Sequence, residues 1–147
     1  MPGDAPAVLI DTHVHIHDCF PLDGFFDAAH ANFERAARAH DGHDGFIGVL
    51  MLTETARADC FKRLSARADR APDGVYSVLE EWRLRHTQET ASVTAERHGQ
   101  CLYIIAGRQI VTAERLEVLA LGFEGFVPDG EPIRQVIDRV RSAAPSP

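Results

Sequence analysis

Basic charge is scarce in this chain. Its 147 residues carry 15 Lys and Arg against 22 Asp and Glu, a formal net charge of −7 at pH 7. A nucleic-acid binder needs a basic face, and so does a protein held on an anionic membrane. Both partners are disfavoured, which leaves room only for a local basic pocket. Lysine is nearly missing: Lys62 is the only one. That skew toward arginine is read as genome composition and not as function. The three cysteines, Cys19, Cys60 and Cys101, are odd in number and form no CxxC pair. A zinc ribbon and a thioredoxin motif are therefore excluded. Reduced thiols in a cytoplasmic protein are expected. Long apolar runs are also missing. Val8-Leu9-Ile10 is far too short for a signal peptide or a membrane span, and Met1 to Pro6 has no basic start. No Gly-rich phosphate loop, Gly-x-Ser-x-Gly elbow or convincing Ser/His/Asp set occurs.

What is present is an ordinary globular composition, 45% hydrophobic and 25% charged. The length suits one domain, residues 1–147. Ala7 to Thr12 reads as a buried strand. Leu22 to His40 reads as a helix, since Leu22, Phe25, Phe26, Ala29, Phe33, Ala36 and Ala37 recur at helical spacing. Pro21 and Asp23 suit its start, and Asp41-Gly42 stops it. Phe46 to Thr53 is apolar almost throughout, as in a strand covered on both faces. Thr55 to Arg70 reads as a second helix with Cys60, Phe61, Leu64 and Ala68 on one face, ended by Ala71-Pro72-Asp73-Gly74. Strand, helix, strand, helix is the pattern of a parallel βαβ build.

The pattern then changes. Short strand candidates follow at Val75–Leu84, Ser92–Ala95, Leu102–Ala106, Gln109–Thr112 and Leu116–Leu121, with a hairpin across Ile110 to Val118. Pro128-Asp129-Gly130 is a turn. Glu131 to Ala143 is a third helix, with Ile133, Val136, Ile137 and Val140 inward. The expected fold class is α/β: parallel strands with an antiparallel hairpin section. No strand follows the last helix, so an open sheet edge is expected, a natural surface for homo-oligomer pairing.

The segment that can carry chemistry is Asp11-Thr12-His13-Val14-His15-Ile16-His17-Asp18-Cys19. Alternate strand residues point the same way, so His13 and His15 would stand side by side where the strand ends. In α/β folds that end is where ligands bind. Paired imidazoles suit zinc and other transition ions. His17, Asp11 and Asp18 are further donors, as ligands or as partners of ligands. The bland alternative is a polar strand end whose histidines bond to loops. Cys19 is read as an ordinary free thiol before it is read as a ligand.

Asp11-Thr12-His13-Val14-His15 resembles the opening motif of the PHP (polymerase and histidinol phosphatase) family. Two later landmarks carry the resemblance on. Members of the family have Thr-Asp-His at the end of the second strand, where this chain has Thr53-Glu54-Thr55. They also have a Gly-x-Glu strand and a hairpin returning to an apolar strand ending in Leu-Gly. Here stand Gly107-Arg108-Gln109 and Leu116 to Gly122. The resemblance implies a partial, distorted (β/α) barrel of PHP type in which divalent ions (zinc, manganese or iron) activate water against a phosphorylated or other anionic small substrate. His13 and His15 match the family's ligand set. Glu54 is a substitute, whereas Thr55 cannot replace an imidazole and neutral Gln109 is a poor bridge between cations. The remaining ligands would lie beyond residue 147, as in a domain shortened at its C-terminus. An amidohydrolase fits less well, because its carboxylated lysine has no counterpart: Lys62 falls inside a helix.

Two readings follow. In one the chain is a metal-dependent phosphoesterase, with metal at His13 and His15, aided by Asp11, His17 and Asp18. Glu54 and Arg108 then serve catalysis, Arg108 gripping the anionic group. In the other the chain is a catalytically inactive PHP-like domain used for binding or as a structural module. Elsewhere the bland readings are preferred. His30 and His40 pack, Trp82 anchors the core, Cys60 and Cys101 are core residues, and Glu114 and Glu117 are solvated.

Overall fold

In the computed structural model the described residues are 6–41, 45–69 and 81–143. They hold seven strands and three helices: β1 (Ala7–Val14), α1 (Leu22–Asp41), β2 (Phe46–Leu52), α2 (Cys60–Ala68), β3 (Arg83–His86), β4 (Ser92–Arg97), β5 (Gln100–Ile105), β6 (Gly107–Val111), β7 (Glu117–Leu121) and α3 (Ile133–Ala143). Five strands form one sheet in the order β1-β2-β5-β4-β3. β1, β2 and β5 run parallel, and β4 and β3 are antiparallel additions. β6 and β7 form an antiparallel hairpin of their own. The α/β class is as expected. The sheet is open, and the described residues close no barrel.

Helix spacing and strand alternation build one main core. α1 contributes Phe26 and Phe33, and α2 contributes Cys60, Phe61 and Leu64. They meet Leu50, Leu52, Leu102, Ile104, Val93, Ala95 and Leu84, the alternate residues of β2, β5, β4 and β3. Gly48 permits close packing: a Cβ there would lie 2.7 Å from side-chain carbons of both Leu102 and Phe33. Trp82 is fully buried against Phe26, its ring nitrogen donating to Asp27 at 2.8 Å. The Arg97 guanidinium covers the same ring at 4.7 Å. The His30 ring packs on Phe46 and Trp82, as expected for a core-side histidine. A second cluster, built on Ile110, Ala120, Phe123, Val127 and Val136, joins the hairpin to α3.

The other face of the sheet is apolar and open over β1, β2 and β5, and polar over β4 and β3, where Thr94, Glu96, Arg83 and Arg85 stand. Val8 and Ile10 on β1 are 57% and 55% exposed, and Tyr103 is exposed on the same side. Ile10, Val49 and Tyr103 form one row by register. β1 and β3 are the two edges. β3 is short and charged, with Arg85 paired to Glu96, whereas the first half of β1 carries no charge.

Some boundaries differ from expectation. α2 begins at Cys60 and not at Thr55, because the carbonyls of Thr55 and Ala58 accept hydrogen bonds from Arg108 in a turn before the helix. The strand expected at Val75–Leu84 is Arg83–His86 within the described residues, and residues 75–80 lie outside them. The Asp23 carboxylate fixes its start by accepting from the N–H groups of Glu81 and Trp82. The turn at Ala71 to Gly74, the side chain of His40 and the end of the expected second helix at Arg70 also lie outside the described residues. His98 and Gly99 both have positive φ and turn β4 into β5. Glu114 is not merely solvated: its carboxylate accepts from the N–H of Ile133 at the start of α3.

Candidate functional site

The three segments that carry the PHP resemblance meet at one place. β1 ends beside β2: Thr53 N–H donates to the Val14 carbonyl at 2.9 Å. β2 runs on beside β6: Glu54 N–H donates to Gly107 O at 3.0 Å, and Gln109 N–H donates to Glu54 O at 2.9 Å. Glu54 and Arg108 pair in parallel register. Gly107 makes this approach feasible, since a Cβ there would sit 2.1 Å from the Leu52 carbonyl oxygen.

β1 is irregular just before the site. Asp11 pairs with Leu50 but Val14 pairs with Leu52, so β1 has one residue more than β2 over this stretch. His13 and Gln109, 96 residues apart in sequence, face each other, with His13 Nε2 and Gln109 Oε1 3.3 Å apart. The Gln109 oxygen can only accept, so in this contact the imidazole nitrogen carries the proton. The His15 ring lies 5.1 Å from that of His13 and 6.1 Å from that of His17, centroid to centroid. His15 Nε2 is 3.5 Å from the hydroxyl of buried Thr53. His13 and His15 stand side by side as alternate positions lead one to expect, and His17 follows them beyond the end of β1.

The oxygen donors are placed otherwise. Asp11 folds back to accept from the backbone N–H of His13 at 3.1 Å. Asp18 forms an ion pair with Arg63 of α2. Glu54 is 6% exposed, and its Oε1 accepts from Phe61 N–H at 3.1 Å in the first turn of α2. Arg108 donates to Ala58 O at 2.7 Å and to Thr55 O at 3.3 Å, with its Nη1 4.0 Å from Glu54 Oε2. Of the two residues expected to serve catalysis, Glu54 thus ties the end of β2 to α2, and Arg108 ties β6 to the loop between them. Sequence spacing carried no signal for these contacts, which join residues up to 53 positions apart.

A divalent ion fits this arrangement only in part. His13, His15 and the Gln109 amide oxygen are neutral donors near one another. Among the described residues no group of three or more His, Cys, Asp or Glu side chains is placed to hold a metal ion. The donor set is compatible with one ion held by two imidazoles. It is not compatible with a pair of ions, which needs a bridging carboxylate to offset their charge.

Among the described residues, no helix is long and apolar enough to cross a membrane. Compared with protein-family models, with curated proteins and with solved structures, the chain matches none.

Proposed function

We propose that this chain is a PHP-like domain that acts as a binding or structural module and not as a hydrolase. The observation that carries this reading is the position of Glu54. The family resemblance puts an acidic metal ligand at this point, yet the carboxylate is buried against the N-terminus of α2. Arg108, the candidate for gripping an anion, is held by two loop carbonyls. Gln109 stands where the family has a bridging glutamate, and it contributes no charge.

A second reading, a metal-dependent phosphoesterase, is favoured by the adjacent rings of His13 and His15 at the C-terminal end of a parallel strand. A bound divalent ion would supply a water of lowered pKa. The two imidazoles would hold it, and the contact to Gln109 would fix the His13 tautomer.

Metal content of the purified protein, with a phosphomonoester and phosphodiester screen after incubation with zinc, manganese and iron, separates the two. The binding-module reading expects no turnover above a His13→Ala/His15→Ala double variant. Metal-dependent turnover abolished by that variant would establish the phosphoesterase and sink the module.

A further inference from the structure

Among the described residues, helices cover one side of the sheet only. α1 and α2 pack on the side of Leu50, Leu52 and Leu102. α3 lies on that side too. Arg108 reaches the carbonyls before α2, Ile110 is the next residue of β6 to point the same way, and Ile110 packs with Val136 of α3. Parallel strands are ordinarily covered on both faces, and β1, β2 and β5 are not.

The open face extends beyond the five-stranded sheet. β5 and β6 run one after the other beside β2: Met51 is level with Ile105 and Glu54 with Arg108, so the register is unchanged between them. Tyr103 and Gln109 therefore point the same way, out of the open face. β7 continues it, since Leu119 is opposite Gln109 and Leu121 opposite Gly107. Val8, Ile10, Val49, Tyr103, Leu119 and Leu121 thus share one apolar surface, and all but Val49 are 36–57% exposed. Its margin is polar and carries both signs: Arg85 of β3 pairs with Glu96 of β4, and Arg83 stands opposite Glu96.

We propose that two copies of this chain associate through this face, sheet against sheet, in a dimer with the helices outermost. Size supports a second copy. Strands about 4.8 Å apart, rising about 3.3 Å per residue, give the apolar part a flat footprint of roughly 550 Å², to which the β4–β3 margin adds about 150 Å². Side chains raise the accessible area above the footprint, so the face reaches the roughly 800 Å² per partner that a stable dimer buries. An apolar centre inside a polar rim is also the anatomy of such interfaces. Charge supports it as well. Two copies of a chain of net charge −7 repel each other, least where the surface is neutral, and the rows Ile10–Val49–Tyr103 and Met51–Ile105 across the centre are neutral. A margin of both signs complements its own copy and does not select a partner of one sign. Pairing through the free edge of β1 instead would leave both apolar faces in water. The proposal stands whether or not His13 and His15 hold an ion.

The test is sedimentation of the whole chain from about 1 to about 100 µM, a range in which a dimer of this size forms. The mass of two chains is expected. Tyr103→Glu and Leu119→Glu each place a charge in the interface and raise the dissociation constant at least tenfold. Phe20→Glu leaves it unchanged, because Phe20 is as exposed as Ile10 but stands beside α2 on the helix side. Ile10→Cys keeps the surface neutral, and in the dimer its thiol reacts at least tenfold more slowly than exposed Cys19. Tyr103 lies on an inner strand, so its variant separates face packing from edge pairing. A single-chain mass at every concentration, a dimer indifferent to Tyr103→Glu, or an Ile10→Cys thiol as quick as Cys19 overturns the proposal.

Discussion

Glu54 and Phe61 are joined by one hydrogen bond, from the Phe61 backbone N–H to Glu54 Oε1 at 3.1 Å, and it anchors α2 to the end of β2. The first N–H groups of a helix have no partner within it, and a carboxylate there also meets the positive end of the helix dipole. Asp59, just before α2, makes no side-chain capping bond, so Glu54 supplies that function from seven residues away.

Replacing Glu54 should therefore cost stability whatever the chain does. Glu54→Ala leaves a buried N–H unsatisfied and is expected to destabilise by about 1–3 kcal/mol. Glu54→Gln keeps an acceptor oxygen and should lose less. Urea unfolding of both variants checks this; equal losses would show that the hydrogen bond is not what Glu54 contributes.

Gln109 offers a direct test of the family resemblance. Gln109→Glu places a carboxylate against His13, where the family carries its bridging acid. Affinity for manganese or zinc should rise at least tenfold, measured by calorimetry. An unchanged affinity would mean that Gln109 does not occupy the bridging position.

Two glycines should respond in opposite directions. Gly107→Ala forces a Cβ to 2.1 Å from the Leu52 backbone oxygen, and backbone cannot swing aside as a side chain can. A loss of more than about 2 kcal/mol is expected, or failure to fold. Gly24 lies in α1, exposed, and a Cβ there meets nothing within 4 Å. Gly24→Ala should stabilise by about 0.5–1 kcal/mol through helix propensity. Thermal melts of the two variants decide it.

The thiols should differ in reactivity. Cys19 is exposed and Cys60 is 4% exposed. Burial, then the nearby Glu54 carboxylate, pushes Cys60 up to about 11 from a usual value of 9.0. An aromatic disulfide reagent at pH 8 should titrate Cys19 rapidly and Cys60 only upon unfolding. The raised value also has a sign for stability. Between about pH 9 and 11 the unfolded chain loses the proton that the folded chain keeps. Cys60 therefore has no effect below that window and lowers stability as pH rises through it. Cys60→Ala should flatten that part of the pH–stability curve.

Sequence reading recovered the features that local pattern controls. The Phe26, Phe33 and Ala37 stripe specified α1, the apolar run from Phe46 specified β2, and the Ile110 to Val118 turn specified the β6–β7 hairpin. It also placed His13 and His15 together, since neighbours two apart on a strand need no tertiary information. Distant partners were not readable. Nothing local says that Asp18 pairs with Arg63, 45 residues on, or that Arg108 takes the carbonyls of Thr55 and Ala58 and delays α2. Glu114 looked like a solvated charge because its partner, the Ile133 N–H, lies 19 residues away. An acidic residue near a strand end looks the same in sequence whether it faces a ligand or a helix terminus.

The extra residue in β1 reaches further than one hydrogen-bond ladder. Val8 and Ile10 point out of the open face, and an uninterrupted count of two would send Thr12 and Val14 after them, leaving His13 under the helices. The irregularity between Asp11 and Val14 resets that count, so Val14 enters the core level with Leu52 and His13 turns outward to Gln109. The histidine pair is thus a matter of phase as much as of composition. A strand without the extra residue reaches the same phase only by losing one position there: with Thr12 removed, Asp11, His13 and Val14 would fall opposite Leu50, Met51 and Leu52, and His13 would still face outward.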